Sequence, residues 1–178
     1  TNAGEAVILF LALLLGLPLP LTAVQILWIN LITDGLNTVP LVFEPAHIEV
    51  LKMPPRPPQE PILTKILKNR IVLVALIMAA VTIPVFWLAL NQGQNLNQAR
   101  SVAFALMGVL QIYNVLNSRS FKNSVFQIPL FSNPAILFTV LVSIALTYAT
   151  VSFWPLQKIF QTESLSSTLW LQVFLLSL

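Results

Sequence analysis

From Ile71 to Leu90 the chain runs for twenty residues without a charged side chain. That is the length a helix needs to cross the roughly 30 Å of hydrocarbon in a bilayer. Five further apolar stretches accompany it: Ala6 to Leu19, Leu21 to Phe43, Val102 to Leu116, Ala135 to Trp154 and Thr168 to Leu178. The middle ones approach spanning length, and the first and last are short. With 57% hydrophobic residues, 8% charged residues and a mean hydropathy of +0.85, against about 25% charged in an ordinary soluble domain, the chain is too apolar to be one. The expected fold is all-α, a multispan transmembrane helical bundle with a half helix, four full spans and a partial last helix.

The chain begins at Thr1 with no initiator methionine, sets Asn2 and Glu5 directly on the first helix and stops within an apolar run at Leu178. Residues 1 to 178 are therefore expected to be one transmembrane domain excised from a larger protein. No cationic region precedes the first run, so no signal peptide is evident.

The net charge of +3 and the pI near 9.6 come from a few basic residues between the apolar runs. They report topology, with the lipid bilayer as partner and no nucleic acid. Lys52, Arg56, Lys65, Lys68 and Arg70 follow the second stretch, and Arg119 and Lys122 follow the fourth; Arg100 and Lys158 flank the other side. Seven against two places the Pro-rich loop and the Arg119 loop in the cytoplasm. The absence of cysteine excludes disulfides and thiolate metal sites.

Against this background two carboxylates stand out: Asp34 inside the second stretch and Glu5 at the head of the first. An acid at mid-membrane costs about 2.5 to 3.5 kcal/mol on insertion scales and marks an ion path, a proton relay or a partner charge. Asn30, Thr33, Asp34 and Asn37 follow the spacing i, i+3, i+4, i+7, so on an α-helix they share one face. Asn2 and Glu5 repeat the pattern at i, i+3, and the short Gly16 to Pro20 connection folds the two segments together. Carboxylate, amide and hydroxyl oxygens facing one space are the ligands hard cations such as calcium prefer. The plainer alternative is polar glue between helices. Gly35 and Pro40 both weaken the backbone ladder around Asp34, so the helix is expected to loosen there.

Other residues have ordinary readings. Met53 to Pro61, with five prolines, is a stiff loop or a polyproline ligand. His47 is a solvated loop residue, since it is the only histidine. Trp28, Trp87, Trp154 and Trp170 read as interfacial anchors or packing groups, and Pro84 as a kink or an unwinding point.

Ile29-Asn30-Leu31-Ile32-Thr33-Asp34-Gly35-Leu36, then Phe43-Glu44-Pro45 and Met53-Pro54-Pro55-Arg56-Pro57-Pro58-Gln59-Glu60-Pro61, resembles the sixth transmembrane helix and following cytoplasmic loop of type II P-type cation-transporting ATPases, in their calcium-pump branch. Thr1 to Glu5 resembles half of the fifth helix, and Asn114-Val115-Leu116-Asn117-Ser118 the end of the eighth. The resemblance covers essentially the whole chain, as helices five to a partial ten.

That resemblance implies a translocase segment whose transported cation is calcium, in an integral multi-pass protein of a bacterial cell membrane. Asn30 and Asp34 would form the sixth-helix half of one cation site, completed by a fourth helix outside this chain. Asn2, Glu5, Thr33 and Asp34 would build a second site. There the chain departs from pattern: Gln111 stands where those pumps place a glutamate on the eighth helix, and a neutral amide should weaken divalent binding. Magnesium and ATP would belong to cytoplasmic domains absent here, because no phosphate loop or acid cluster for phosphoryl transfer is found. The phosphorylation domain would contact the loop at 45 to 65. Another cation (sodium, manganese or the proton) is the first alternative, and a secondary transporter or structural bundle the second.

Overall fold

The computed structural model describes residues 1–45, 57, 59–120 and 128–177, with the side chains of Asp34 and Leu130 outside the description. His47, Lys52, Arg56 and Lys122, and most of the Pro-rich segment, therefore lie outside it. Among the described residues every regular element is a helix.

Helix α1 (Asn2–Leu14) ends at Gly16, whose φ of 66° lies in the left-handed region that glycine enters without a Cβ penalty. Leu17 N–H bonds back to Ala12 C=O at 2.9 Å, closing the helix end. Arg100 Nε donates to Leu19 C=O at 2.9 Å and braces the turn that follows. Helix α2 (Ala23–Ile29) starts with a reciprocal cap: Thr22 Oγ1 accepts from Gln25 N–H, and Gln25 Oε1 accepts from Thr22 N–H.

The second apolar stretch is three helical pieces rather than one regular span. After α2 the chain widens into a π-helical segment, Asn30–Leu36, and then tightens into a 3₁₀ turn, Val39–Phe43, that contains the buried Pro40. The expected loosening is present and begins at Asn30. Single π turns inside α-helices occur often at functional sites.

Helix α3 (Lys65–Asn91) starts well before Ile71 because Thr64 caps it, its Oγ1 accepting from Leu67 N–H. Pro84 sits inside α3 without ending it. Helix α4 spans Leu96–Asn117 and α5 spans Pro134–Ser152, the latter preceded by a short turn at Leu130–Ser132. The stretch ending at Trp154 breaks at Phe153, beyond which α6 (Trp154–Phe160) and α7 (Ser167–Ser177) follow. Helices α3, α4 and α5 are long and apolar enough to cross a membrane; α1, the second stretch and α7 are shorter.

Helix α4 is the central post, 72% buried along its membrane-length window against 33% for α3 and 39% for α5. It packs on α3, α5 and α7 and touches α2 and the π segment. Apolar burial drives little helix association in lipid, where the alternative surroundings are also apolar, so close packing of small residues must do it. Helix α4 supplies them at Ala99, Ser101, Ala103, Ala105 and Gly108, all buried. A Cβ at Gly108 would stand 3.2 Å from Thr147 Cγ2 of α5. Gly108→Leu is therefore expected to destabilise the purified protein by about 1 to 3 kcal/mol, read as a lower thermal midpoint. An unchanged midpoint would mean that α4 and α5 have room to part. The outer surface exposes Leu13, Leu27, Leu73, Leu76, Phe138 and Leu141, a covering suited to lipid tails.

Among the described residues, Arg70, Arg119, Arg100 and Lys158 segregate as expected. Arg70 donates to Asn117 C=O and Ser120 C=O, and Arg119 pairs with Glu44, so the described ends of both basic loops meet at one end of the bundle. Arg100 lies at the other end, in the first turns of α4 near Leu19. Lys158 stands 4.2 Å over the Trp154 ring beside Asn97, also at the start of α4. Of the four tryptophans, Trp87 and Trp154 are exposed, whereas Trp28 packs on Phe160 and Trp170 on Tyr148 and Phe174.

Candidate cation site

Three elements deliver polar side chains to one buried point. Glu5 projects from the first turns of α1, Asn30 and Thr33 from the π segment, and Gln111 from the inner part of α4. Glu5, Thr33 and Gln111 are 4%, 1% and 0% exposed, so their polar atoms must be satisfied by each other or by a ligand.

Glu5 Oε1 accepts from Gln111 Nε2 at 2.7 Å, and Glu5 Oε2 accepts from Asn30 Nδ2 at 3.1 Å. A carboxylate has only acceptors to offer, so the Gln111 amide must turn its NH₂ toward Glu5. Its Oε1 then faces the Thr33 hydroxyl, within hydrogen-bond reach. That hydroxyl also lies against Ile29 C=O and has a single proton for the two acceptors. The network runs from α1 through α4 to the π segment, across sequence separations of 25, 78 and 106 residues.

One atom is left over: Asn30 Oδ1 is buried and has no hydrogen-bond partner. A buried oxygen without a donor costs about 1 to 3 kcal/mol, and beside a carboxylate it is the kind of atom a cation would use. Among the described residues no three His, Cys, Asp or Glu side chains converge. A cation held here would therefore take one described carboxylate and neutral amide and hydroxyl oxygens, a hard-ligand set.

The other residues singled out from the sequence separate. Asp34 lies in the π segment between Thr33 and Gly35. Asn2 does not join the cluster: it is exposed in the first turn of α1, where its Oδ1 accepts from the Thr1 hydroxyl. Asn37 turns instead to α5, its buried Oδ1 accepting from Ser143 Oγ at 3.0 Å while its Nδ2 is unpartnered. The shared face expected of Asn30, Thr33, Asp34 and Asn37 belongs to α-helical pitch, which the π segment does not follow. No motif marks Ser143 in the sequence, although Thr139, Ser143, Thr147 and Thr150 form a buried polar line at helical spacing along α5.

The family described as "Cation transporting ATPase, C-terminus" matches residues 18–178. The chain belongs to that family. This ATPase segment is 39% identical over 166 residues to the human "Calcium-transporting ATPase type 2C member 1", covering 93% of this chain and 18% of that protein. It is 35% identical over 174 residues to the "Calcium-transporting ATPase" of Bacillus subtilis strain 168, covering 97% and 19%. It is 30% identical over 174 residues to the "Probable cation-transporting ATPase F" of Mycobacterium tuberculosis H37Rv, covering 98% and 19%. The ATPase segment thus spans less than a fifth of the length of these relatives.

Proposed function

We propose that this chain is the cation-holding membrane segment of an ATP-driven pump, that the pump carries calcium, and that Glu5, Asn30, Thr33, Asp34 and Gln111 belong to its cation cage. The observation that carries this reading is the buried junction of Glu5, Asn30 and Gln111 with its unpartnered Asn30 Oδ1. Two of the relatives named above are called calcium-transporting. The expected setting is an integral membrane protein of a bacterial cell membrane, although relatives occur in mammals as well as bacteria.

The work divides between parts of the full protein. ATP and magnesium would act in cytoplasmic domains that form an aspartyl phosphate. This segment hydrolyses nothing itself; it offers oxygens to the transported ion. In the arrangement described, Glu5 takes two amide N–H groups, from Gln111 and Asn30. When a cation enters, rotation of the Gln111 amide would bring Oε1 toward the ion, and the Thr33 hydroxyl, able to accept as well as donate, could then receive Nε2. Asn30 needs a smaller change, because its Oδ1 is already unpartnered.

Gln111 leaves the cage one charge poorer than a carboxylate would, and charge count tunes the affinity of calcium sites over decades. One tightly held calcium per pump is the expected stoichiometry, with Glu5 carrying a proton or a weaker cation. Gln111→Glu should tighten a second calcium by at least about tenfold. Equilibrium binding of labelled calcium to the unphosphorylated full-length protein checks this. Two tight sites in the parent, or no gain in the variant, would show that the charge at position 111 does not set stoichiometry. The same neutral residue favours a second reading, in which the pump carries sodium, manganese or protons; competition by those ions in the binding assay separates the two.

A further inference from the structure

Where α4 ends lies a second buried polar knot. The Arg119 side chain is wholly buried and that of Glu44 is 12% exposed, yet their charges meet with Nη2 to Oε1 at 2.6 Å and Nε to Oε1 and Oε2 at 3.0 and 3.1 Å. Arg119 Nη2 also donates to Ser132 Oγ at 2.7 Å. Asn133 Nδ2 donates to Glu44 Oε2 and to Pro40 C=O, both at 2.9 Å, and its Oδ1 accepts from Ile136 N–H as the cap of α5. A buried ion pair is a poor route to stability, since desolvation offsets most of its attraction. Its value lies in fixing geometry, and here the elements fixed are specific.

Glu44 and Pro40 belong to the far end of the interrupted helix; Arg119 follows α4, and Asn133 starts α5. The near end of the same helix is also tied, by the Thr22 and Gln25 cap and by Gln25 Nε2 donating to Phe160 C=O at 2.9 Å. The π segment that carries Asn30, Thr33 and Asp34 is therefore strung between two anchors. Winding or unwinding it requires one anchor to move, and the Arg119 fork together with Asn133 is the one nearer Asp34 in the chain.

We infer that Arg119 and Asn133 are positioning residues for the cation cage: by clamping Glu44 and Pro40 they set the pitch of the π segment and hence cation affinity, without touching the ion. This rests on the function proposed above. The pair can be probed without removing the cap of α5, because Asn133→Ser keeps a good N-cap while losing both bonds to the interrupted helix. Arg119→Lys keeps the charge but not the planar fork.

The experiment measures labelled-calcium binding and calcium-dependent phosphorylation in the full-length protein, for the parent, Arg119→Gln, Arg119→Lys, Asn133→Ser, Glu44→Gln and Asp34→Asn. Arg119→Gln, Glu44→Gln and Asn133→Ser should each raise the calcium concentration for half-saturation about five- to tenfold. Phosphorylation at saturating calcium should be unchanged, Arg119→Lys should be intermediate, and Arg119→Gln combined with Glu44→Gln should be no worse than either alone. Variants that lower the thermal midpoint but leave half-saturation at the parent value would overturn the inference and make the knot a fold element only. If Asp34→Asn binds calcium like the parent, or the parent binds none, the cation-cage reading itself fails and the positioning role falls with it. If Asp34→Asn loses binding while the clamp variants bind normally, the cage stands and the clamp does not.

Discussion

Asp34→Asn in the full-length protein is expected to insert and fold like the parent and to lose cation-dependent phosphorylation from ATP, with at least about a hundredfold more calcium needed for any signal. The two side chains are nearly isosteric, and the change removes a charge that a bilayer-embedded helix carries at a cost of about 2.5 to 3.5 kcal/mol. Folding should therefore be spared. Cation binding should not be, because Asp34 lies in the same π segment as Asn30 and Thr33 and an amide supplies an oxygen without the charge. Phosphoenzyme formed from labelled ATP across a calcium titration is the measurement. Normal phosphorylation at ordinary calcium would reduce the residue to interhelical glue and remove the main support for a pump segment.

Gln111→Leu, by contrast, should lower stability. Leucine fills a similar volume but removes the amide that donates to Glu5 Oε1 and faces the Thr33 hydroxyl. Truncating one partner of a buried, hydrogen-bonded charge costs about 2 to 5 kcal/mol, mostly from the charge left behind. The thermal midpoint of the detergent-extracted protein should fall accordingly. The double change Glu5→Leu with Gln111→Leu should recover much of the loss, since an apolar pair needs no donors, while calcium binding is not restored. If the single variant is as stable as the parent, the Glu5 carboxylate has other sufficient donors and the junction is not the tight unit described.

The parts of this structure legible from sequence are those with local causes. Apolar length announces a helix, and α3 to α5 appear where the charge-free runs lie, extended outward by caps such as Thr64 and Asn95. Gly35 and Pro40 announce a weakened ladder, and the ladder is interrupted there, although nothing local indicates that it widens into a π turn at Asn30. Glu5 and Asn30 could be suspected from polarity alone. The partnership of Glu5 with Gln111 joins residues 106 apart and has no local signature; Gln111 came into view only through family resemblance. Spacing puts Asn2 on the side of Glu5, and in this structure it is exposed in the first turn of α1, its Oδ1 accepting from the Thr1 hydroxyl. Arg119 reads in the sequence as a loop charge that reports topology, because a pair formed across 75 residues leaves no local sign of its partner Glu44.

The seclusion of α4 bears on how the surrounding bilayer acts on this protein. At 1.5 Å per residue, the 27 residues of α3 make a rod about 40 Å long, and the 19 of α5 one of about 28 Å. In a membrane with about 30 Å of hydrocarbon the charge-free Ile71 to Leu90 part of the first, at about 30 Å, just spans, as does the second. Longer acyl chains would thus outreach both helices. Helix α4, screened from lipid on most sides, would feel it only as a shift in the seams where Gly108 meets Thr147 and where Gln111 meets Glu5.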